Sequence, residues 1–443
     1  MGTYLNRTAG TATSSTAWTF SCWLKRSQYR DKDGQGTNYF FGNKIGSPDN
    51  NNWLGATFED DDTLRVQSWY GGVQLRTSMK FRDTNAWYHI VLAADSSQSE
   101  SSRLKIYVNS VQQTDMTVTN HPSSNFNFNW CNSGANHIVG SIQNSSNVYY
   151  DFFNGYMTHV AFVDGSQLTP SNFGETDSST GIWKPKGSPT GVTYGNNGYF
   201  LKMENSGNLG LDSSGNGNNL TVNNAGTGAQ VSDSPSNNFC TMNTLSQIGE
   251  QSQAETGNKT LGCLQTITRT GSGSDGACYG SLAIPKGGKW FWETKIASMS
   301  GNNAAIGVRT AYDYSEVVWY SNNGNLYVNN SNTGSPGTSY AQGDIIGIAV
   351  DTTNNQITFY KNGVALSPYT YSDMPEALKN GFSPFWNDFG GNPGPTCQAN
   401  FGNPPFTISS TNADAAGVGS FEYTVPSGFY ALCTKNIASQ GGA

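Results

Sequence analysis

Charge is scarce in this sequence. Only 12% of its 443 residues are Asp, Glu, Lys or Arg, and no stretch concentrates Lys and Arg enough to neutralise a run of phosphates. With a net charge of −7 and a pI near 5.1, nucleic acid is not an expected partner. Long apolar runs are lacking too: nowhere do about 18 apolar residues run together, so no membrane span is expected. The opening MGTYLNRTAGTATSSTAWTF has no apolar core of signal-peptide length. If the protein acts outside a cell, release of assembled particles by lysis would carry it there. Cysteine pairs are missing as well. Cys22, Cys131, Cys240, Cys263, Cys278, Cys397 and Cys433 are odd in number and scattered, with no CxxC and no His at zinc-ligand spacing. They read as reduced thiols packed as small apolar residues, as in a protein made in a cytosol, with one structural disulfide left open.

Glycine is plentiful, at 52 residues, and aromatics make up 12%. Gly and Asn tolerate the positive φ of tight turns, while Tyr, Trp, Val and Thr suit a pleated, half-buried surface. The expected class is all-β, with few helices. Strict alternation of apolar and polar residues in Trp18–Leu24, Leu64–Tyr70, Trp87–Ala93, Leu104–Val108 and Tyr156–Val163 predicts antiparallel strands with one face in and one face out. Together with Gly198–Met203 they form a first sandwich over residues 1–206. Residues 207–258 are nearly all turn formers and small polar residues and read as an extended linker ordered by docking. Alternation resumes in Trp290–Ile296, Ala305–Val308, Asp344–Asp351 and Gln356–Val364, predicting a second sandwich over 259–409. Residues 410–443 contribute a final strand or clasp against it.

Little in the residues points to catalysis. Glu59-Asp60-Asp61-Asp62 is the only dense acidic cluster, and adjacent acids between two strands read first as a solvated hairpin tip, second as a weak cation site. Of the four histidines, His89 and His159 sit inside strands, and neither comes with a G-x-S-x-G elbow. Gly271-Ser272-Gly273-Ser274-Asp275-Gly276 lacks the lysine and the strand-to-helix context of a P-loop. No metal and no cofactor is implied.

Three stretches give the first domain a family likeness. WTFSCWLKRS, AWYHIVLAADSS followed by RLKIYVNSV, and NGYMTHVAFVDGSQLTPSNFGE resemble the opening strand, central hairpin and closing strand of laminin-G-like, concanavalin A-like jelly rolls. The second domain resembles the SPRY family through GKWFWETKI, IGV, GDIIGIAVDTTNNQITFYKNGV and SPFWNDFGG…ANFGNPPF, which fall in that family's order. The pairing of the two modules around SDSPSNNFCTMN, with a VPSGFYALCTKN end, resembles structural proteins of bacteriophage virions and tail fibres.

That resemblance implies a non-enzymatic virion surface protein: a tail fibre, spike or capsid decoration. It would bind a host-surface glycan or receptor, contact other virion proteins, and assemble as a homo-oligomer with a trimer favoured. Two rivals stand beside it. One is a purely structural virion clamp with no cell ligand; the other is a jelly-roll glycoside hydrolase. The second would need two converging carboxylates, and the E-x-D-x-x-E run that supplies them in laminarinase-type enzymes is absent. Sugars offer apolar CH faces and hydroxyl rims, so aromatic rings beside amides are the candidate ligand groups. SPRY-like domains bind through loops at one end, which nominates Tyr312, Asp313, Tyr314, Trp319, Tyr320, Trp386, Asn387 and Asp388. In the first domain the corresponding residues are Trp53, Trp69 and Tyr70.

Overall fold

The computed structural model describes residues 2–27, 38–49, 51–178, 181–226, 229–243, 258–261, 265–269, 276–299, 304–310, 315–320, 323–334, 339–388 and 395–441. They fall into two compact units, Met1–Gln230 and Val231–Ala443, each built from sheets that are antiparallel apart from a short parallel pairing in the second unit. Helix is confined, among the described residues, to Met374–Lys379, Thr434–Gln440 and four 3-10 turns. No described helix is long and apolar enough to cross a membrane.

The first unit pairs a six-stranded sheet with an eight-stranded one. In the six-stranded sheet Ala17–Arg26 lies between Gly155–Asp164 and Trp87–Asp95. The eight-stranded sheet includes Gln74–Lys80, Thr63–Ser68, Trp53–Phe58 and Asn38–Lys44 as successive neighbours. Successive side chains point to opposite faces of a strand, so Trp18, Phe20, Cys22 and Leu24 enter the core. There they join Ile90, Leu92 and Phe162 from their own sheet and Phe41, Leu54, Phe58 and Val66 from the other.

The alternation predicts a polar outer face for the six-stranded sheet, but much of that face is covered. Val91, Ala93, Ala161 and Val163 form a second apolar cluster with Phe173 and Phe200, against Leu168, Val192 and Tyr194. The chain after the closing strand folds back over the sheet, and Thr19 clips it there by donating to Ser166 O and accepting from Leu168 N.

The first unit does not end near residue 206. Thr221–Asn223 pairs with Tyr4–Thr8 as an edge strand, and Leu220 is a core residue. Asp212 organises the intervening loop: its carboxylate accepts the backbone N–H of Phe200, Ser214 and Asn218 and the Ser214 hydroxyl. Turn formers are here the material of a hydrogen-bonded loop. The rest of the expected linker divides. Residues 231–243 belong to the second unit, where Met242–Asn243 pairs with Gly276–Gly280, and 244–257 lie outside the described residues.

The second unit has a core of Trp290, Trp292, Ile306, Trp319, Trp386, Ile348 and Phe359 between a seven-stranded and a nine-stranded sheet. Its closing segment packs Phe421, Val425 and Ala431 against Phe291 and Ala349, and Tyr430–Ala431 runs parallel to Lys289–Ser298. Glu293 anchors this clasp, its carboxylate accepting the N–H of Glu422 and Tyr423 and the Asn400 amide. Six cysteines are buried free thiols; burial pushes those of Cys22 and Cys131 well up. Cys263 lies outside the described residues.

Candidate functional site

On the outer face of the eight-stranded sheet, Trp53, Trp69 and Tyr70 meet as a chain of rings. The Trp53 and Trp69 centroids lie 5.4 Å apart, and those of Trp69 and Tyr70 5.6 Å apart, both edge-on. Trp53 is the buried foot, its indole N–H donating to Gln143 O, with Tyr39 and Ile142 beside it. Tyr70 is the exposed end, at 90% of its full accessibility. Its φ of +59° lies in the left-handed region, which a bulky aromatic rarely adopts. Strain of this kind persists only where neighbours over-determine the backbone, and it clusters at ligand sites. Here Ser68 accepts Val73 N–H on its hydroxyl while its own N–H donates to Val73 O, and Asn120 donates to Gly71 O.

A hairpin, Ile142–Gln143 with Tyr149–Tyr150, crosses the same face beside these rings. Lys44 holds it by donating to Asn144 O and the Asn147 side chain, each at 2.6 Å. Gly42 makes room, since a Cβ there would lie 2.4 Å from Ile142 Cδ1. Burial, then the neighbouring Tyr39, raises the Tyr150 phenol to about 12, so it stays protonated and able to donate.

In the second unit the two tryptophans proposed as ligand plates are core residues. Trp319 is 0% exposed and Trp386 1%. Trp319 packs edge-on against Tyr340 and Phe359, and the Trp386 indole N–H donates to Cys397 Sγ. Neither ring can meet a sugar. Alternation explains the difference: each sits at an inward position of a strand whose outward neighbours, Val318 and Phe385, form another cluster. Asn387 is buried as well, and its Oδ1 accepts no hydrogen bond from the described residues. Tyr320 and Asp388 end the strands Glu316–Tyr320 and Ser383–Asp388, their side chains outside what is described. Tyr312, Asp313 and Tyr314 also lie outside the described residues.

The acidic cluster does form the hairpin turn between Trp53–Phe58 and Thr63–Ser68, with Asp60 exposed, but its other three acids are ion-paired. Glu59 pairs with Arg65 at 3.0 Å, Asp61 with Arg76 at 2.8 Å, and Asp62 with both Arg26 and Arg82. Each of these three acids is held by an arginine, from Arg65 on the next strand to Arg26 on the other sheet. Asp61 is accordingly held down at about 2, by hydrogen bonds from Thr63 and Arg76 that outweigh its burial. No group of three potential metal ligands occurs among the described residues.

Two family models match the chain. Residues 2–173 match the concanavalin A-like lectin/glucanases superfamily, and residues 289–404 match the SPRY domain. The chain carries a concanavalin A-like domain followed by a SPRY domain.

Solved structures resemble it piecewise. The SPRY domain of human HERC1 is 26% identical, covering 30% of this chain and 87% of that one, with a TM-score of 0.27. The heptameric SAP-like pentraxin of Limulus polyphemus is 14% identical over 38% of this chain and 71% of its own, with a TM-score of 0.29. A Bacteroides ovatus protein described as a candidate carbohydrate binding protein is 17% identical over 50% of this chain and 56% of its own, TM-score 0.35. No curated protein sequence matches.

Within the concanavalin A-like domain, His89 lies under Trp183 on the outer face of the six-stranded sheet. The Trp183 indole N–H can only donate, so His89 Nδ1, 3.0 Å away, accepts. Nε2 therefore carries the proton and donates to Ser21 Oγ at 2.9 Å. A histidine so arranged cannot take a proton from Ser21, and burial lowers its own titration to about 3. The pair is structural. The concanavalin A-like domain also has an open recess of about 880 Å³ lined by Ser206, Asn208, Leu209, Asn219 and Leu220 among others. It contains no aromatic ring and no charge, hence no stacking plate. The ring chain ending in Tyr70 remains the better site. Residues 69 and 70 were nominated by type alone; nothing in the spacing marks one as exposed and left-handed.

Proposed function

We propose that this chain is a non-enzymatic binding protein of a virus particle surface, and that its concanavalin A-like domain holds host-surface glycans against Tyr70. The observation that carries the glycan reading is Tyr70 itself: a fully presented ring, held at positive φ by a pinned turn and backed by two tryptophans. A rigid aromatic plate of this kind suits the apolar face of a pyranose and loses little entropy on binding. The virion setting is supported by the order of the two modules and by the linker and C-terminal motifs, which resemble those of phage structural proteins. In that setting the chain works as a homo-oligomer, a trimer being favoured, alongside other virion proteins.

The test is a glycan array with the purified full-length protein beside Tyr70→Ala and Trp69→Ala. Saturable binding lost in both variants, with unchanged melting, is the expected result. Equal binding by Tyr70→Ala would move the site elsewhere. Absence of any glycan binding would leave a structural clamp as the function. Mass spectrometry of purified particles tests the virion setting separately.

A further inference from the structure

The Tyr70 turn is flanked by a row of amides. Asn120, Gln74 and Gln67 are direct cross-strand partners on three adjacent strands, all on the outer face, and the row ends at Gly55, opposite Gln67. Gly55 is covered by Tyr39, whose ring a Cβ there would approach to 2.5 Å, and whose hydroxyl accepts from Gln67 Nε2 at 3.3 Å. Asn120 gives one amide N–H to Gly71 O and is otherwise exposed. Each amide supplies uncharged donors and acceptors.

The next row along the same strands is charged but closed. Arg65 and Arg76 face each other there, and Arg65 is bound to Glu59, Arg76 to Asp61 and to Thr63 Oγ1. Lys44, on the strand Asn38–Lys44, is occupied by the hairpin oxygens. An anionic sugar would have to take a guanidinium from a carboxylate that already holds it.

We infer that the Tyr70 site selects neutral saccharides, reading their hydroxyls with Asn120, Gln74 and Gln67 and rejecting sulfated and uronic-acid glycans. This rests on the reading of Tyr70 as a glycan plate. The arrangement of uncharged amides beside a ring, next to arginines neutralised within the protein, fits a hexose with an apolar face and equatorial hydroxyls. Because no free charge takes part, binding is insensitive to ionic strength.

The test uses the full-length protein against immobilised neutral oligosaccharides (laminari-, cello- and manno-series) and against dextran sulfate and alginate, each at 50 and 500 mM NaCl. The expected result is binding to a neutral series that changes less than about twofold with salt and weakens at least about fivefold in Gln74→Ala. Asp61→Asn, which releases Arg76, is expected to add salt-sensitive binding to dextran sulfate. Binding to the anionic polymers alone, lost in Tyr70→Ala, would overturn the selectivity and leave the Tyr70 site standing. Failure to bind either class would remove both. Neutral binding unaffected by Gln74→Ala, Gln67→Ala and Asn120→Ala would overturn the role of the amide row.

Discussion

The indole nitrogen of Trp183 lies 3.0 Å from Nδ1 of His89, and this one bond fixes the tautomer of a buried imidazole. Trp23 stacks on the imidazole, 4.7 Å away at 10°. Gly174 makes the arrangement possible, because a Cβ there would lie 2.4 Å from the Trp183 ring. Trp183→Phe removes the donor and leaves Nδ1 orphaned, a loss of about 1–3 kcal/mol. Nitrogen NMR of the imidazole is the check: wild type should give a single neutral tautomer protonated at Nε2, and the variant a mixture.

Acid should weaken the first domain through its buried histidines. Burial lowers His89 and His137 to about 3, far below the 6.5 of the unfolded chain. The unfolded state therefore binds more protons between those values, and stability that is complete above pH 6.5 is lost as pH falls toward 3. By pH 5 the loss is about 2 kcal/mol per histidine. Calorimetry at pH 7, 6 and 5 should show the melting temperature of the first domain falling, with a shallower slope in His137→Gln. A flat profile would contradict burial of these rings.

The aromatics of the two domains should separate by experiment into plates and core. Trp319→Ala and Trp386→Ala each empty a buried site and should cost about 3–5 kcal/mol. Tyr70→Gly relieves a left-handed backbone and is expected to raise stability by about 1 kcal/mol while removing glycan binding. Denaturant melts of the three variants read this directly. A destabilised Tyr70→Gly would mean that the ring is held by packing.

Arg26 and Asp62 form an ion pair at 3.2 Å with 1% and 4% of their side chains exposed. Arg26 also donates to Phe81 O and lies over the Phe58 ring. Asp62→Asn strands the buried guanidinium and should destabilise by about 3–5 kcal/mol. The double variant Asp62→Asn/Arg26→Met should recover much of that, and a urea-melt cycle measures the recovery.

The class and the order of modules are legible in local pattern. Trp18-Thr19-Phe20-Ser21-Cys22-Trp23-Leu24 alternates because it is a strand with two faces, and the structure puts Trp18, Phe20, Cys22 and Leu24 inside. What alternation leaves open is the outer face: Trp23 is as buried as Trp18, because a later segment carrying Trp183 returns over it. The acids at 59–62 form a hairpin turn as their pattern suggests, but their arginine partners come from neighbouring strands (Arg65, Arg76), from the segment after them (Arg82) and from the other sheet (Arg26), which no local window shows. Asp212 and its Gly-Asn loop look like linker because turn residues signal a change of direction without saying what the turn rests on.

By itself, then, the sequence determined an all-β chain of two sandwich modules, since side-chain period and turn chemistry act over a few residues. Tertiary structure alone decided which aromatics face solvent. Trp319 and Trp386 read as plausible plates beside Trp69 and Tyr70, yet the first two fill a core and Tyr70 stands free. Exposure is the sum of everything distant strands and returning segments lay over a residue, and no local window contains that sum.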